Sequence, residues 1–197
     1  MAWIQPAENT HASLVEAMQR MDGVEFDLRL TADDQLVIHH DHTVSIPKDM
    51  FEGRSKIVEN WDLKDLEEVG FCSFEKLMSD KSWLTPWQEH SKVACLEIKR
   101  SLPEVAKDPT TRMARIMKLA SEMVDEAGIH EEAAVFYAFH RPMAKVAKLS
   151  GSKRPWSRLL PIVPRTGSHN SKRFRAAPEF IAYSFRRLLY SQKKSGA

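Results

Sequence analysis

Residues 23–43 read GVEFDLRLTADDQLVIHHDHT, and this stretch decides how the rest of the chain is interpreted. In its first eight residues, GVEFDLRL, apolar residues alternate with charged ones, which is the two-residue period of a β-strand. The run TADD at 31–34 favours a turn, and QLVIHH at 35–40 predicts a second strand. The stretch therefore predicts two strands joined by a turn.

Two carboxylates, Glu25 and Asp27, lie two residues apart on the first predicted strand, so they share one face opposite an apolar face. Carboxylates that point into a protein are unfavourable unless they are paired or bound to a cation. A hard cation that prefers oxygen ligands, such as Mg²⁺ or Ca²⁺, would suit this pair. The same alternation is typical of a half-exposed antiparallel strand with a solvated polar face, so both interpretations stay open.

The run His39-His40-Asp41-His42 follows at the end of the second predicted strand. A histidine there could act as general acid or base, because its charge changes near neutral pH. The three histidines could instead form a transition-metal site, but a continuing strand would place only His40 and His42 on the same side. A polar loop at a strand exit is the third interpretation.

The segment KVACLEIK at 92–99 predicts an apolar strand on which Cys95, Glu97 and Lys99 share a face. Glu97 and Lys99 could form an internal salt bridge. They could equally serve as a third metal ligand and as a cation that contacts phosphate. Barrel enzymes collect catalytic residues from the C-terminal ends of separate strands, so acids and histidines at three strand ends favour a functional site.

Predicted helices separate the predicted strands, which favours a parallel α/β fold, either a barrel or a doubly wound sheet. Helical spacing of apolar residues predicts helices over residues 10–21, 63–69 (with Asp62 as N-cap), 73–77 (beginning at Ser73), 110–126 and 143–149. The remaining predicted strands are AAVFYAF at 133–139 and LLPIV at 159–163, and residues 42–60 are predicted to form a long loop.

The composition is that of a soluble globular domain: 197 residues, 43% hydrophobic and 28% charged. Cys72 and Cys95 stand alone without metal-ligand spacing, which favours buried thiols in a reducing compartment. We see no signal peptide at the N-terminus and no apolar run long enough to cross a membrane, so a cytoplasmic location is expected.

Positive charge is concentrated in the C-terminal third. From Arg141 onwards there are fourteen Lys and Arg residues and one acidic residue, Glu179. Such a segment could contact nucleic acid, anionic lipid headgroups or a phosphorylated substrate. A solvated surface that balances the acidic part of the chain is the alternative.

Several of these motifs together resemble the glycerophosphodiester phosphodiesterase family. The matching elements, in order, are PAENT at 6–10, GVEFDLRLT at 23–31, QLVIHHD at 35–41, the stretch 58–77 and LEIK at 96–99. The resemblance is dense from Pro6 to Lys99 and looser over 133–163. Its elements are specific as a set, whereas E-x-D or HD alone would carry little weight.

The resemblance implies a TIM-type barrel that hydrolyses glycerophosphodiesters to glycerol 3-phosphate and an alcohol, using one divalent cation, Mg²⁺ or Ca²⁺. Glu25, Asp27 and Glu97 match the metal ligands of the family. His40 matches one of its two acid–base histidines. Lys99 matches a cation near the phosphate.

The chain also departs from the family pattern. The H-R-G of the family's first strand, which carries the second histidine and a phosphate-binding arginine, would fall at or before Met1-Ala2. Phe139-His140-Arg141 stands where the family usually has Ser-Phe-Asp. We therefore expect an α/β barrel that is incomplete at its first and last strands, spanning residues 1–165, followed by a basic helical segment over 166–197.

Three functions follow as hypotheses. The first is a metal-dependent phosphodiesterase acting on a small-molecule glycerophosphodiester, with no nucleic-acid partner and with peripheral contact to an anionic membrane left open. The second is a catalytically impaired relative that binds a metal and phosphate esters. The third is a module that binds nucleic acid or anionic membranes through the basic C-terminal segment, where SKRFR at 171–175 interleaves a ring with cations.

Overall fold

A six-stranded β-sheet forms the centre of the computed structural model, which describes residues 6–46, 53–89, 92–140 and 142–159. The strand order is β3-β2-β1-β4-β5-β6. The strands are β1 (Gly23–Leu30), β2 (Leu36–Ile38), β3 (Cys72–Ser73), β4 (Val93–Ile98), β5 (Ala134–Ala138) and β6 (Trp156–Arg158). The helices are α1 (His11–Arg20), α2 (Leu63–Glu68), α3 (Phe74–Ser79), α4 (Lys81–Glu89), α5 (Pro109–Glu126) and α6 (Met143–Ser150).

Four of the strands, β1, β4, β5 and β6, are parallel neighbours and are linked by helices, which confirms the predicted parallel α/β core. β2 pairs with β1 in the antiparallel direction, and β3 pairs with β2 in the same way. The short turn between β1 and β2 makes this direction unavoidable, since parallel neighbours need a long crossover connection. Its backbone bends through Asp34, which has a positive φ of 63°.

Apolar side chains from the sheet and the helices form the main core on one side of β1. Phe26 and Leu28 are fully buried there. The Phe26 ring centroid lies 5.8 Å from those of Phe74 and Trp83, and Trp83 packs edge-on against Trp87 at 5.4 Å. Because helices cover this apolar face, the charged face of β1 is directed to the opposite side of the sheet.

The predicted helices are confirmed with small shifts of their ends. One predicted N-cap, Asp62, differs from the structure. Thr10 forms a capping box with Ser13 at α1, and the Ser73 hydroxyl accepts a hydrogen bond from Lys76 N at α3. Asp62 stands at the N-cap position of α2, but its side chain makes no capping hydrogen bond. Asp33 Oδ1 accepts from Leu63 N at 3.0 Å instead, so the turn after β1 caps this helix.

Several segments differ from the sequence prediction, among them the strand β3 (Cys72–Ser73), which was not predicted, and the three that follow. The second strand ends at Ile38, so His39 and His40 lie in the following turn and not on a strand. Helix α4 was not predicted because Pro86 within it argues against a helix, but burial of Trp83 and Trp87 favours this conformation. The last described strand, β6, precedes the predicted strand 159–163, of which residues 160–163 lie outside the described part.

The basic segment 166–197, and with it the predicted domain boundary, lies outside the described residues. The same holds for the SKRFR run. Among the described residues, Cys72 is buried, Cys95 is partly buried, and both are free thiols. No described helix combines the length and hydrophobicity that a membrane crossing requires.

Gly23 offers a test of the contact between β1 and β4. A Cβ at this position would come closer to the Val93 carbonyl oxygen than van der Waals contact allows, so the two strands would have to move apart. We expect Gly23→Ala to lower the free energy of unfolding by about 1–3 kcal/mol in chemical denaturation. The neighbouring exposed variant Asp22→Ala should stay within about 0.5 kcal/mol of the unmodified protein. Equal stability of the two variants would contradict the close approach.

Candidate active site

Three carboxylates from two adjacent parallel strands meet on the charged face of the sheet. The register places Asp27 of β1 directly beside Glu97 of β4. Glu25, Asp27 and Glu97 each offer an oxygen atom to a cluster in which these atoms lie within 4.8 Å of one another. Asp27 and Glu97 are 4% and 8% exposed, and Glu25 is exposed at the edge of the cluster. The solvated-strand interpretation of this face is therefore wrong, because Asp27 is buried.

Lys99 supplies positive charge to the cluster. Its Nζ lies 2.9 Å from Glu97 Oε1 and 3.1 Å from Asp27 Oδ1. The side chain is only 11% exposed, so this is a shielded ion pair and not a surface one. The internal salt bridge predicted for Glu97 and Lys99 is confirmed. A phosphate-contacting role for Lys99 stays a prediction.

Two further residues contact the carboxylates, and sequence reasoning assigned a role to neither. The Tyr137 hydroxyl donates to Glu25 Oε1 at 2.6 Å and approaches Glu97 Oε2 at 3.3 Å. Asn9 Nδ2 donates to Asp27 Oδ2 at 2.8 Å, while Asn9 Oδ1 accepts from Asp27 N at 3.3 Å. Tyr137 lies in the apolar run of β5, where nothing in the sequence distinguishes it. Its contact with the carboxylates becomes apparent only from the strand register, which pairs Tyr137 with Glu97. Asn9 belongs to the PAENT motif, and this motif was the one sequence feature that could have indicated a role for it.

The environment of the cluster changes the ionisation of two groups. Loss of hydration raises the pKa of Glu25 above its usual value, although its side chain reaches the edge of the cluster, and the hydrogen bond from Tyr137 partly opposes this shift. The charges of Asp27 and Glu97 raise it further. Burial also raises the pKa of the Tyr137 phenol, and the hydrogen bond to Glu25 adds to the effect. Tyr137 therefore acts as a hydrogen-bond donor at physiological pH.

The three histidines of the HHDH run point to different partners. His40 faces the carboxylate cleft, and its Nδ1 lies 2.9 Å from Asp41 Oδ1. His39 Nε2 lies 3.1 Å from Thr43 O, and its ring packs against Phe71. His42 Nδ1 lies 3.1 Å from Arg29 Nη1. A transition-metal site built from these histidines is therefore wrong.

Arg29 holds the turn that carries His40. It lies on the carboxylate face of β1, is 1% exposed, and donates from Nη2 to the His40 carbonyl at 2.6 Å. Its Nη1 lies 3.8 Å from Glu59 Oε2. The sequence pattern placed Arg29 on this face but gave no sign that it is buried.

Glu59 is the buried counter-charge of this arginine and is 2% exposed. Ser101 Oγ donates to its Oε1 at 2.5 Å, and Arg112 Nε lies 3.6 Å from the same oxygen. Two arginines and one hydroxyl therefore share one carboxylate beneath the His40 turn. The segment that contains Glu59 was predicted as loop, and its residues Val58–Asn60 form a 3₁₀-helix.

A cleft of about 320 Å³ joins these groups. Its described lining consists of Glu8, Asn9, Glu25, Asp27, His40, Glu97, Tyr137 and Phe139. The cleft therefore combines the three carboxylates with one histidine and two aromatic rings, while Lys99 lies behind the carboxylates.

The donor set fits a hard divalent cation. Asp27 Oδ1 is buried and lies within ion-pair distance of Lys99, yet it accepts no hydrogen bond. A buried carboxylate oxygen whose near partner is a cation, grouped with two other carboxylates, is suited to a metal ion that prefers oxygen ligands. Among the described residues, this is the one group of three acidic, histidine or cysteine side chains close enough to share an ion.

Sequence comparison assigns a family to this fold and cleft. The model of the glycerophosphoryl diester phosphodiesterase family matches residues 3–146, so the chain belongs to that family. The predicted resemblance is thus confirmed over most of the chain. Comparison with curated protein sequences gives no match.

Solved structures of similar fold come from the same group of enzymes. The glycerophosphodiester phosphodiesterase of Thermotoga maritima is 16% identical with a TM-score of 0.53, over 86% of this chain and 64% of that one. The enzyme of Parabacteroides distasonis is 20% identical with a TM-score of 0.57, over 79% and 60%. An Oleispira antarctica phosphodiesterase, solved with the product sn-glycerol-3-phosphate, is 18% identical with a TM-score of 0.58, over 87% and 66%.

These similarities confirm the TIM-type barrel fold predicted from the sequence. The chain spans less than two thirds of the Thermotoga and Parabacteroides proteins. In the described residues the barrel is represented by an open sheet in which β1, β4, β5 and β6 are the parallel strands. The cleft lies beside the middle of β1, at Glu25 and Asp27, and beside the C-terminal ends of β4 and β5, at Glu97 and Tyr137. Barrel enzymes place their active sites at the C-terminal ends of their strands.

The Arg29–Glu59 pair can be tested through stability. We expect Arg29→Met to lower the free energy of unfolding by about 3 kcal/mol, because the change leaves a buried carboxylate with a poorer set of partners. Arg115→Met removes an exposed ion pair with Asp34 and should have an effect below about 1 kcal/mol. Chemical denaturation measures both.

A double variant separates loss of charge pairing from loss of packing. Arg29→Met combined with Glu59→Met removes both charges, so it should recover most of the stability lost in Arg29→Met. Equal losses in Arg29→Met and Arg115→Met would contradict a buried ion pair beneath the His40 turn.

Proposed function

We propose that the protein hydrolyses glycerophosphodiesters to glycerol 3-phosphate and an alcohol, with Glu25, Asp27 and Glu97 holding one divalent cation, Mg²⁺ or Ca²⁺. The observation that supports this proposal is the meeting of three carboxylates and His40 at one cleft, with Lys99 ion-paired to two of these carboxylates from behind. The product bound to the Oleispira phosphodiesterase is the one that this reaction would release.

A divalent cation bound at such a site polarises the phosphoryl group and helps to orient a hydroxyl of the substrate. The carboxylates of Glu25, Asp27 and Glu97 provide the negative charge that holds it, and Asn9 and Tyr137 keep two of these carboxylates directed into the cleft. The same negative charge would repel a phosphodiester in the absence of a counter-charge.

Lys99 is proposed to contact a phosphate oxygen of the substrate. Its ammonium group is held near the cleft by Asp27 and Glu97, and it has three donors on a flexible stem. A lysine placed in this way acts as a point charge for phosphate. Part of its interaction can pass from the carboxylates to the phosphate without movement of the backbone.

His40 is proposed to move the proton to or from the reacting oxygen. Its Nδ1 faces Asp41, which leaves Nε2 available to the cleft. The hydrogen bond with His40 lowers the pKa of Asp41, so this carboxylate stays ionised and favours the tautomer that carries a proton on Nδ1. The turn is fixed from beneath by Arg29.

A second candidate is binding of a metal and a phosphate ester without turnover. His40 is the only histidine among the described residues that line the cleft, whereas the mechanism of the family uses two acid–base histidines. With a single proton carrier, the site could still bind the cation and the ester but would exchange protons poorly.

A hydrolysis assay distinguishes the two candidates. The full chain is incubated with glycerophosphocholine or glycerophosphoethanolamine in the presence of Mg²⁺ or Ca²⁺, and glycerol 3-phosphate is measured. We expect metal-dependent product, and we expect Glu25→Ala to abolish it because one of the three proposed ligands is lost. Metal-dependent thermal stabilisation without product would favour the binding-only candidate. If the metal produces no thermal stabilisation and no product forms, both candidates are contradicted.

The role of His40 is tested by His40→Gln, which removes the titratable ring and keeps a polar side chain. We expect kcat to fall by about 10²–10⁴-fold, with unchanged affinity for the cation measured by calorimetry. His39→Gln is the matched control, because its ring packs against Phe71 and not in the cleft, so this variant should keep most of the activity. Similar losses in both variants would argue against a specific proton-transfer role.

A further inference from the structure

Each of the three clustered carboxylates has one oxygen atom engaged by a neutral donor of the protein. Asn9 Nδ2 donates to Asp27 Oδ2 at 2.8 Å. Tyr137 donates to Glu25 Oε1 at 2.6 Å and lies 3.3 Å from Glu97 Oε2. Because one hydroxyl proton is shared between two acceptors, Glu25 is held more firmly than Glu97. Each carboxylate is thereby left with one oxygen that these donors do not occupy.

The remaining contact of the cluster is of a different kind. Lys99 Nζ approaches Glu97 Oε1 and Asp27 Oδ1, which are oxygens that the neutral donors leave free. A lysine ammonium on a flexible stem can be displaced by a stronger cation. The phenol of Tyr137 is attached to β5, packs edge-on against Phe139 at 6.2 Å, and stays in place.

This division of oxygens matters because Mg²⁺ and Ca²⁺ use carboxylates differently. Ca²⁺ takes roughly six to eight oxygen ligands at longer distances and often binds both oxygens of one carboxylate. Mg²⁺ requires a compact octahedron, binds through one or two carboxylates and keeps several waters. A carboxylate whose second oxygen accepts a hydrogen bond can bind an ion through both oxygens only after that bond breaks.

We propose that Tyr137 and Asn9 make this site selective for Mg²⁺ over Ca²⁺ by holding one oxygen of each carboxylate away from the ion. The proposal rests on the proposed function, because it assumes that the cluster binds a divalent cation. Tyr137 contributes most, since its hydroxyl reaches two of the three carboxylates. In this proposal both residues are positioning residues, because they act on the ion through the carboxylates to which they donate hydrogen bonds.

Calorimetric titration of the full chain with Mg²⁺ and with Ca²⁺ tests the proposal without relying on turnover. The unmodified protein should bind Mg²⁺ more tightly. Tyr137→Phe removes only the hydroxyl and frees Glu25 Oε1, so the ratio of the Ca²⁺ to the Mg²⁺ dissociation constant should fall by about tenfold. Arg115→Met is the control, because this exposed side chain pairs with Asp34 and does not line the cleft, so the ratio should stay unchanged.

Asn9→Gly provides an independent second variant. It frees Asp27 Oδ2, and glycine tolerates the positive φ of 55° at this position, which alanine would not. The ratio of the Ca²⁺ to the Mg²⁺ dissociation constant should fall in this variant too, but by less than in Tyr137→Phe. Circular dichroism confirms folding of each variant, and if Tyr137→Phe does not fold, Asn9→Gly decides the question.

The outcomes separate this proposal from the one on which it rests. A preference of the unmodified protein for Ca²⁺, or an unchanged ratio in the folded variants, would overturn the selectivity while leaving metal-dependent hydrolysis intact. If the unmodified protein binds neither ion, both the selectivity and the metal-dependent function fall.

Discussion

The burial of the Asp27 carboxylate is the constraint on which the arrangement of the site depends. A charge that is 4% exposed needs donors or opposite charges around it, because it has lost most of its hydration. Asn9 provides a hydrogen bond from the segment before α1, and Lys99 provides an ion pair from the end of β4. Two parts of the chain that are far apart in sequence are therefore held at β1, and the cleft forms between them.

Much of the fold followed from the sequence because periodicity and turn chemistry are local. The alternation of residues 23–30 predicted β1, and helical spacing predicted α1 and α5. Helix α4 was missed because the local effect of Pro86 opposes the helix, while burial of two tryptophans, a tertiary effect, favours it. The length of β2 was overestimated because the polar run after Ile38 continues the apparent pattern of a strand.

The sequence could predict only those parts of the site whose residues share one face of the same strand. Alternation placed Glu25 and Asp27 together on one predicted strand and Glu97 and Lys99 together on another, and the resemblance to the family assigned both pairs to one site. The contact of Tyr137 with the carboxylates depends on the register between β4 and β5, which no local pattern encodes. The burial of Arg29 depends on Glu59, and their contact arises from tertiary packing.

The hairpin of β1 and β2 has a consequence for how the cleft assembles during folding. His39 N donates to Asp27 O at 3.1 Å, so the backbone links the carboxylate strand directly to the turn that carries His40. This contact closes a short loop, whereas Glu97 and Tyr137 join only when distant strands pair, and longer loops close at a greater entropic cost. We expect the folding chain to form the histidine half of the cleft first, so the Tyr137–Glu25 hydrogen bond would report the addition of β5 to the sheet.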